Sequence, residues 1–169
     1  MEQKKEIKLS FKDKSLNFYQ FHKVKIFFLF FILIILLITT VFIQQKKEKN
    51  NTMISQKYVL TGLNLSQDKK DEAKNLLIEI ILSENKFYSV IALNKIIELN
   101  LIDSDEKILE YFNILENLDL NEDKLDLIIF KKSLFLLKMS KNLEGKKLLE
   151  ELIKKDSKIK KLAEEILLN

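Results

Sequence analysis

Hydrophobic and polar positions follow three regimes along the chain. Residues 26–43, IFFLFFILIILLITTVFI, are 18 in a row without a charge, and Thr39 and Thr40 are their polar interruptions. As a helix rising 1.5 Å per residue this run is about 27 Å long, close to the ~30 Å hydrocarbon core of a bilayer. A helix in the core of a soluble domain keeps a polar edge, and this one has none on any side, which predicts a transmembrane helix over 25–44. Lys23 and Lys25 before it and Lys46, Lys47 and Lys49 after it can reach the headgroups with their ammonium groups while their stems stay apolar. An export signal has a shorter apolar region, roughly 7 to 15 residues, and small residues at its exit. Here the exit reads TTVFIQQKKEK, and the chain has no cysteine for a lipoprotein-type cleavage, so the span is expected to be a retained anchor.

After a polar linker over 45–51 the period changes to that of amphipathic helices, which fill a domain over 52–169. Ala73, Leu76, Leu77, Ile80 and Ile81 fall at the i, i+3, i+4, i+7, i+8 positions of one helix face. Ile108, Tyr111, Phe112 and Leu115 repeat the pattern, and so do Gly145, Leu148, Leu149 and Leu152. Each follows another helical run, over 52–65, 87–101 and 122–139. Aligning Ala73, Ile108 and Gly145 gives offsets of 35 and 37 residues, the length of a helix-turn-helix repeat. Shifting residues 63–81 by 72 onto 135–153 gives eight identities in nineteen positions, among them Leu76 with Leu148 and Leu77 with Leu149. Small residues at Ala73 and Gly145 predict close helix approach in the first and third hairpins, and Ile108 predicts a more splayed second one. Residues 156–169, DSKIKKLAEEILLN, form a last amphipathic helix, with Ile159, Leu162, Ala163, Ile166 and Leu167 on one face, that closes the stack. The fold class is therefore all-α: one transmembrane helix and a helical-hairpin repeat domain.

With no proline and two glycines, helix starts must be marked by capping. Asp68, Asp103 with Glu106, and Asn121 are the expected acceptors for free N–H groups.

Charge separates the parts again. Residues 1–25 hold seven lysines against Glu2, Glu6 and Asp13, a balance of +4, whereas residues 44–169 hold 22 lysines against 22 acids. The basic tail over 1–24 predicts a cytoplasmic N-terminus and a C-terminal domain across the membrane. A neutral domain without a single arginine lacks the basic face and guanidinium forks that nucleic-acid recognition uses.

Catalytic chemistry finds little to build on. The one histidine, His22, lies beside the anchor; without cysteine, a second histidine or a glycine-rich loop, no hydrolase triad, zinc site or phosphate loop can be assembled. Asp119, Asn121 and Asp123 have the 1, 3, 5 spacing of a calcium loop, but Lys124 stands where its glycine belongs and Phe130 where its bidentate Glu belongs. We expect no catalytic residue, no metal, no cofactor and no small-molecule substrate.

The stretch LDLIIFKKSLFLLKM, over 125–139, is apolar around nearly its whole circumference, interrupted mainly by Lys131, Lys132, Ser133 and Lys138. Two readings stay open. It is a central helix packed on several sides, or Leu127, Phe130, Leu134 and Leu137 line an apolar groove for a protein segment.

The order of parts, together with NKFYSVIALNKIIELN, DLIIFKKSLFLLKMSKNLEGKKLLEELI and KIKKLAEEILL, resembles the YfgM-like family, the ancillary subunit of the bacterial SecYEG translocon. The resemblance covers residues 24–169. It implies a tetratricopeptide-like (TPR-like) repeat domain in the periplasm on a single-pass inner-membrane anchor. It also implies non-enzymatic partners: translocon subunits, a membrane-anchored periplasmic chaperone and exported clients. The tail lacks the family's acidic stretch, and the chain ends where the family commonly has another hairpin. The competing expectation is a scaffold or assembly factor of another envelope complex.

Overall fold

In the computed structural model, the backbone of residues 11–168 and the side chains of residues 19–168 are described. Much of the expected basic tail therefore lies outside the described residues, including every side chain before Tyr19. Seven helices follow one another, with no strand among the described residues: α1 Phe11–Ser66, α2 Lys70–Leu82, α3 Tyr88–Glu98, α4 Asp105–Glu116, α5 Glu122–Lys138, α6 Asn142–Lys154 and α7 Lys160–Leu168. The chain divides into two compact units, residues 1–49 and 50–169.

In the first unit α1 is long and apolar enough to cross a membrane, and none of its most apolar stretch is buried by protein. The two threonines do not break the apolar cylinder: Thr39 Oγ1 donates to the Leu36 carbonyl at 2.9 Å and Thr40 Oγ1 to that of Leu37 at 2.8 Å. The polar 45–51 segment is helical and belongs to α1. Lys, Glu and Gln are good helix formers, and no glycine or proline interrupts them.

In the second unit the apolar faces expected from the sequence are the buried ones. Ala73, Leu77, Ile80 and Ile81 of α2, Ile108, Tyr111, Phe112 and Leu115 of α4, and Gly145, Leu149 and Leu152 of α6 are all buried. Each of α2 to α7 packs against the next in sequence, and α2 also touches α4. Two apolar clusters result. The larger joins Ile54 of α1 with α2, α3, α4 and the Ile128 and Phe135 side of α5. The smaller gathers Leu149, Leu152 and Ala163, with Ile129, Phe130, Leu137 and Ile166 packed against it. Leu162, assigned by its spacing to the apolar face of α7, is half exposed.

Helix ends are turned without glycine. Asp68, Glu84, Asn100, Ser140 and Asp156 take the left-handed conformation, with φ between 47° and 62°. Backbone bonds such as Lys69 N–H to Asn64 O (2.9 Å) and Lys141 N–H to Leu136 O (3.0 Å) close the turns. Asp68 thus ends α1 and does not cap α2, whose N-terminus has no side-chain cap. At α4 the cap is Ser104, one residue after the expected Asp103, and Asn121 caps α5 as its spacing predicts.

Candidate functional site

Helix α5 has the most varied surroundings in the second unit. Its N-terminus is fixed by Asn121, whose Oδ1 accepts from Lys124 N–H at 3.3 Å, and Glu122 and Asp123 favour the positive end of the helix dipole. One side carries Ile128 and Phe135 into the larger cluster, where the Phe135 ring lies 5.9 Å from that of Phe112. Another carries Ile129, Phe130 and Leu137 against α6 and α7. Two packing fronts explain why the sequence is apolar over so much of the circumference.

Polar links fasten both fronts. Buried Asp126 is paired with Lys155 at the end of α6, and Asp123 with Lys158 at 2.5 Å. Lys132 Nζ reaches Glu116 at 2.9 Å and Asn113 Oδ1 at 2.8 Å on α4. Lys131 Nζ donates to Asn94 Oδ1 of α3 at 2.9 Å. Partial burial of the Lys131 ammonium lowers its pKa below the ordinary lysine value, and no carboxylate compensates.

The four candidate groove residues separate into two pairs. Leu127 and Leu134, 42% and 36% exposed, face solvent. Phe130 and Leu137 are half-buried and pack against the α6–α7 cluster. A step of 100° per residue carries a stripe at i, i+3, i+7, i+10 across the edge between an open face and a packed one. Three residues of this neighbourhood did not stand out by spacing as site residues: Asn94, Asp126 and Lys131. A charge in the middle of an apolar helix was the available signal.

Elsewhere the calcium-like triplet has other work. Asp119 pairs with Lys86 at 2.5 Å, which holds its carboxyl below the usual carboxylate range, Asn121 is the cap, and Asp123 pairs with Lys158. Among the described residues no cluster of three or more His, Cys, Asp or Glu could hold a metal ion.

No family model, curated protein or solved structure matches the chain.

Proposed function

We propose that this protein is a membrane-anchored, non-enzymatic protein-binding module whose second unit is a TPR-like stack of helical hairpins. It spans the bacterial inner membrane once, with the N-terminus in the cytoplasm and the helical unit in the periplasm. There it works beside the Sec translocon and assists a membrane-anchored chaperone in receiving exported proteins. Confinement to the membrane raises the local concentration of a weak binding face near emerging chains.

One observation carries the repeat reading. The N-terminal ends of α3, α5 and α7, or the residues just before them, take part in side-chain bonds between positions about one repeat apart: Asn85 to Asn51 (2.8 Å), Lys86 to Asp119 and Lys158 to Asp123. The separations are 34, 33 and 35 residues, and Lys131 to Asn94 adds one of 37. Links spaced by about one repeat are what stacked repeats produce, and stacked helix pairs build extended binding surfaces. The 72-residue self-similarity has a counterpart in the backbone: left-handed Asp68 and Glu84 recur as Ser140 and Asp156. The translocon assignment rests on the resemblance, and the orientation on the lysines of the tail.

The test is photocrosslinking from Leu134 in intact membranes, preceded by protease treatment of spheroplasts. Cleavage of the C-terminal unit from outside, with capture of translocon subunits and exported chains, supports the assignment. A protected unit overturns the orientation, and capture of one other envelope complex replaces the translocon reading with that of a scaffold.

A further inference from the structure

Lys124, Lys131 and Lys138 follow one another at seven-residue steps along α5, and Leu127 and Leu134 follow at the same step between them. At 100° per residue these five positions fall within about 80° of the helix circumference. The open face of α5 is therefore a seam in which lysine and leucine alternate at steps of three and four.

The charge of this seam is unbalanced. Among the described residues Lys124, Lys131 and Lys138 form no ion pair, whereas neighbouring Lys132 is paired with Glu116, and Lys57 of α1, Lys74 of α2, Lys95 of α3 and Lys107 of α4 each have an acidic partner. The acids of α5 itself are Glu122, Asp123 and Asp126, and the latter two are taken by Lys158 and Lys155. From residue 127 to the end of the helix there is none. Lys131 is the sharpest case, because its half-buried ammonium has one neutral acceptor, Asn94, for its three N–H bonds.

We infer that this face binds an acidic amphipathic protein segment, its carboxylates meeting Lys124, Lys131 and Lys138 and its apolar side chains meeting Leu127 and Leu134. The inference rests on the protein-binding reading above and specifies the partner's chemistry. A carboxylate brought to a partly dehydrated ammonium makes a stronger hydrogen bond than one made in open water. Alternation at i, i+3, i+7 is the register in which one helix reads another. A flat anionic bilayer fits less well, since Leu127 and Leu134 are less than half exposed and Lys131 is recessed. Side chains of a peptide can reach into that relief, and a membrane surface cannot.

The experiment uses the full chain in nanodiscs and three fluorescent amphipathic peptides built on leucine heptads, with Glu, Gln or Lys at the polar positions. The Glu peptide should bind at least about tenfold more tightly than the Gln peptide at low salt, with the preference shrinking as salt is added. The triple variant K124Q/K131Q/K138Q should lose that preference, keep the binding of the Gln peptide and unfold no earlier than the parent. Equal binding of the Glu and Gln peptides overturns the acidic selectivity, and so does failure of the parent protein to bind either. Lysine-dependent binding to anionic vesicles in place of the Glu peptide also overturns it, in favour of a lipid surface. Crosslinking from Leu134 reports on the parent reading separately: protein capture there without acidic preference in vitro leaves protein binding standing and removes the selectivity.

Discussion

Gly145 and Gly62 both sit inside helices, where glycine costs roughly 0.5–1 kcal/mol relative to alanine, yet substitution should act in opposite directions at the two. A Cβ on Gly145 would stand 2.8 Å from Leu137 Cγ and 3.0 Å from the carbonyl oxygen of Ser133. Neither a branch carbon nor a backbone oxygen can swing aside, so overpacking exceeds the gain in helix propensity. G145A should lower stability by about 1–2 kcal/mol net. Nothing lies within 4 Å of a Cβ on Gly62, and G62A should raise stability by about 0.5–1 kcal/mol. Thermal unfolding of both variants by circular dichroism checks the pair; stabilisation at both would show that α5 and α6 can separate at little cost. Lys131 gives a pH test. Its folded pKa lies below the ordinary value, so the unfolded chain binds the proton more tightly and stability rises with pH from the folded pKa up to the unfolded one. Below that window K131M should melt at a higher temperature than the parent, and the gap should close in alkaline buffer. A gap that stays constant with pH would trace the effect to packing.

At the scale of elements, the faces of α2, α4 and α6 were legible because each is buried on one side and its apolar residues keep a single period. The 45–51 stretch was not legible as helix: polarity marks the end of a membrane span, and only the absence of breakers shows that the helix goes on. Asp68 looked like a cap, but in a chain with two glycines the acidic and polar residues also have to take the left-handed turn positions. In α5 the apolar residues were plain, but their division among two packed sides and one open face depends on where α3, α4, α6 and α7 lie. That Lys124, Lys131 and Lys138 go unpaired depends equally on acids in other helices. The same dependence makes Asp126 and Lys155 unequal partners. Asp126 is buried, whereas the Lys155 side chain is one-third exposed and can turn to water. K155A strands a buried carboxylate and should cost about 2–3 kcal/mol, at the low side of what breaking a buried pair costs. D126N, which keeps the shape and an acceptor, should cost about 1 kcal/mol. Hydrogen exchange should show the K155A loss concentrated in α6 and α7, whose cluster is the smaller of the two. Loss spread evenly over α2 to α7 would mean that the second unit unfolds as one cooperative block.

For the whole molecule, the proposed anchoring of the second unit by the first can be put to a test. Sixteen of the 18 residues over 26–43 are Ile, Leu, Phe or Val. At roughly 0.3–0.6 kcal/mol each near the helix centre, their insertion is favourable by at most about 5–10 kcal/mol, with residues near the ends contributing less. A central arginine costs about 2.5–3.5 kcal/mol on the same scale. I35R should therefore stay in the membrane pellet after carbonate extraction, with its guanidinium drawn toward an interface. I32R/I35R/L37R carries about 7.5–10.5 kcal/mol of penalty and should release most of the protein. The helices of the second unit draw their core from residues 50–169, so the released chain should keep its helical signal and its thermal transition. Release by the single substitution would show that 26–43 is held less firmly than its composition implies. Loss of the transition on release would show that the second unit needs the membrane for stability as well as for location.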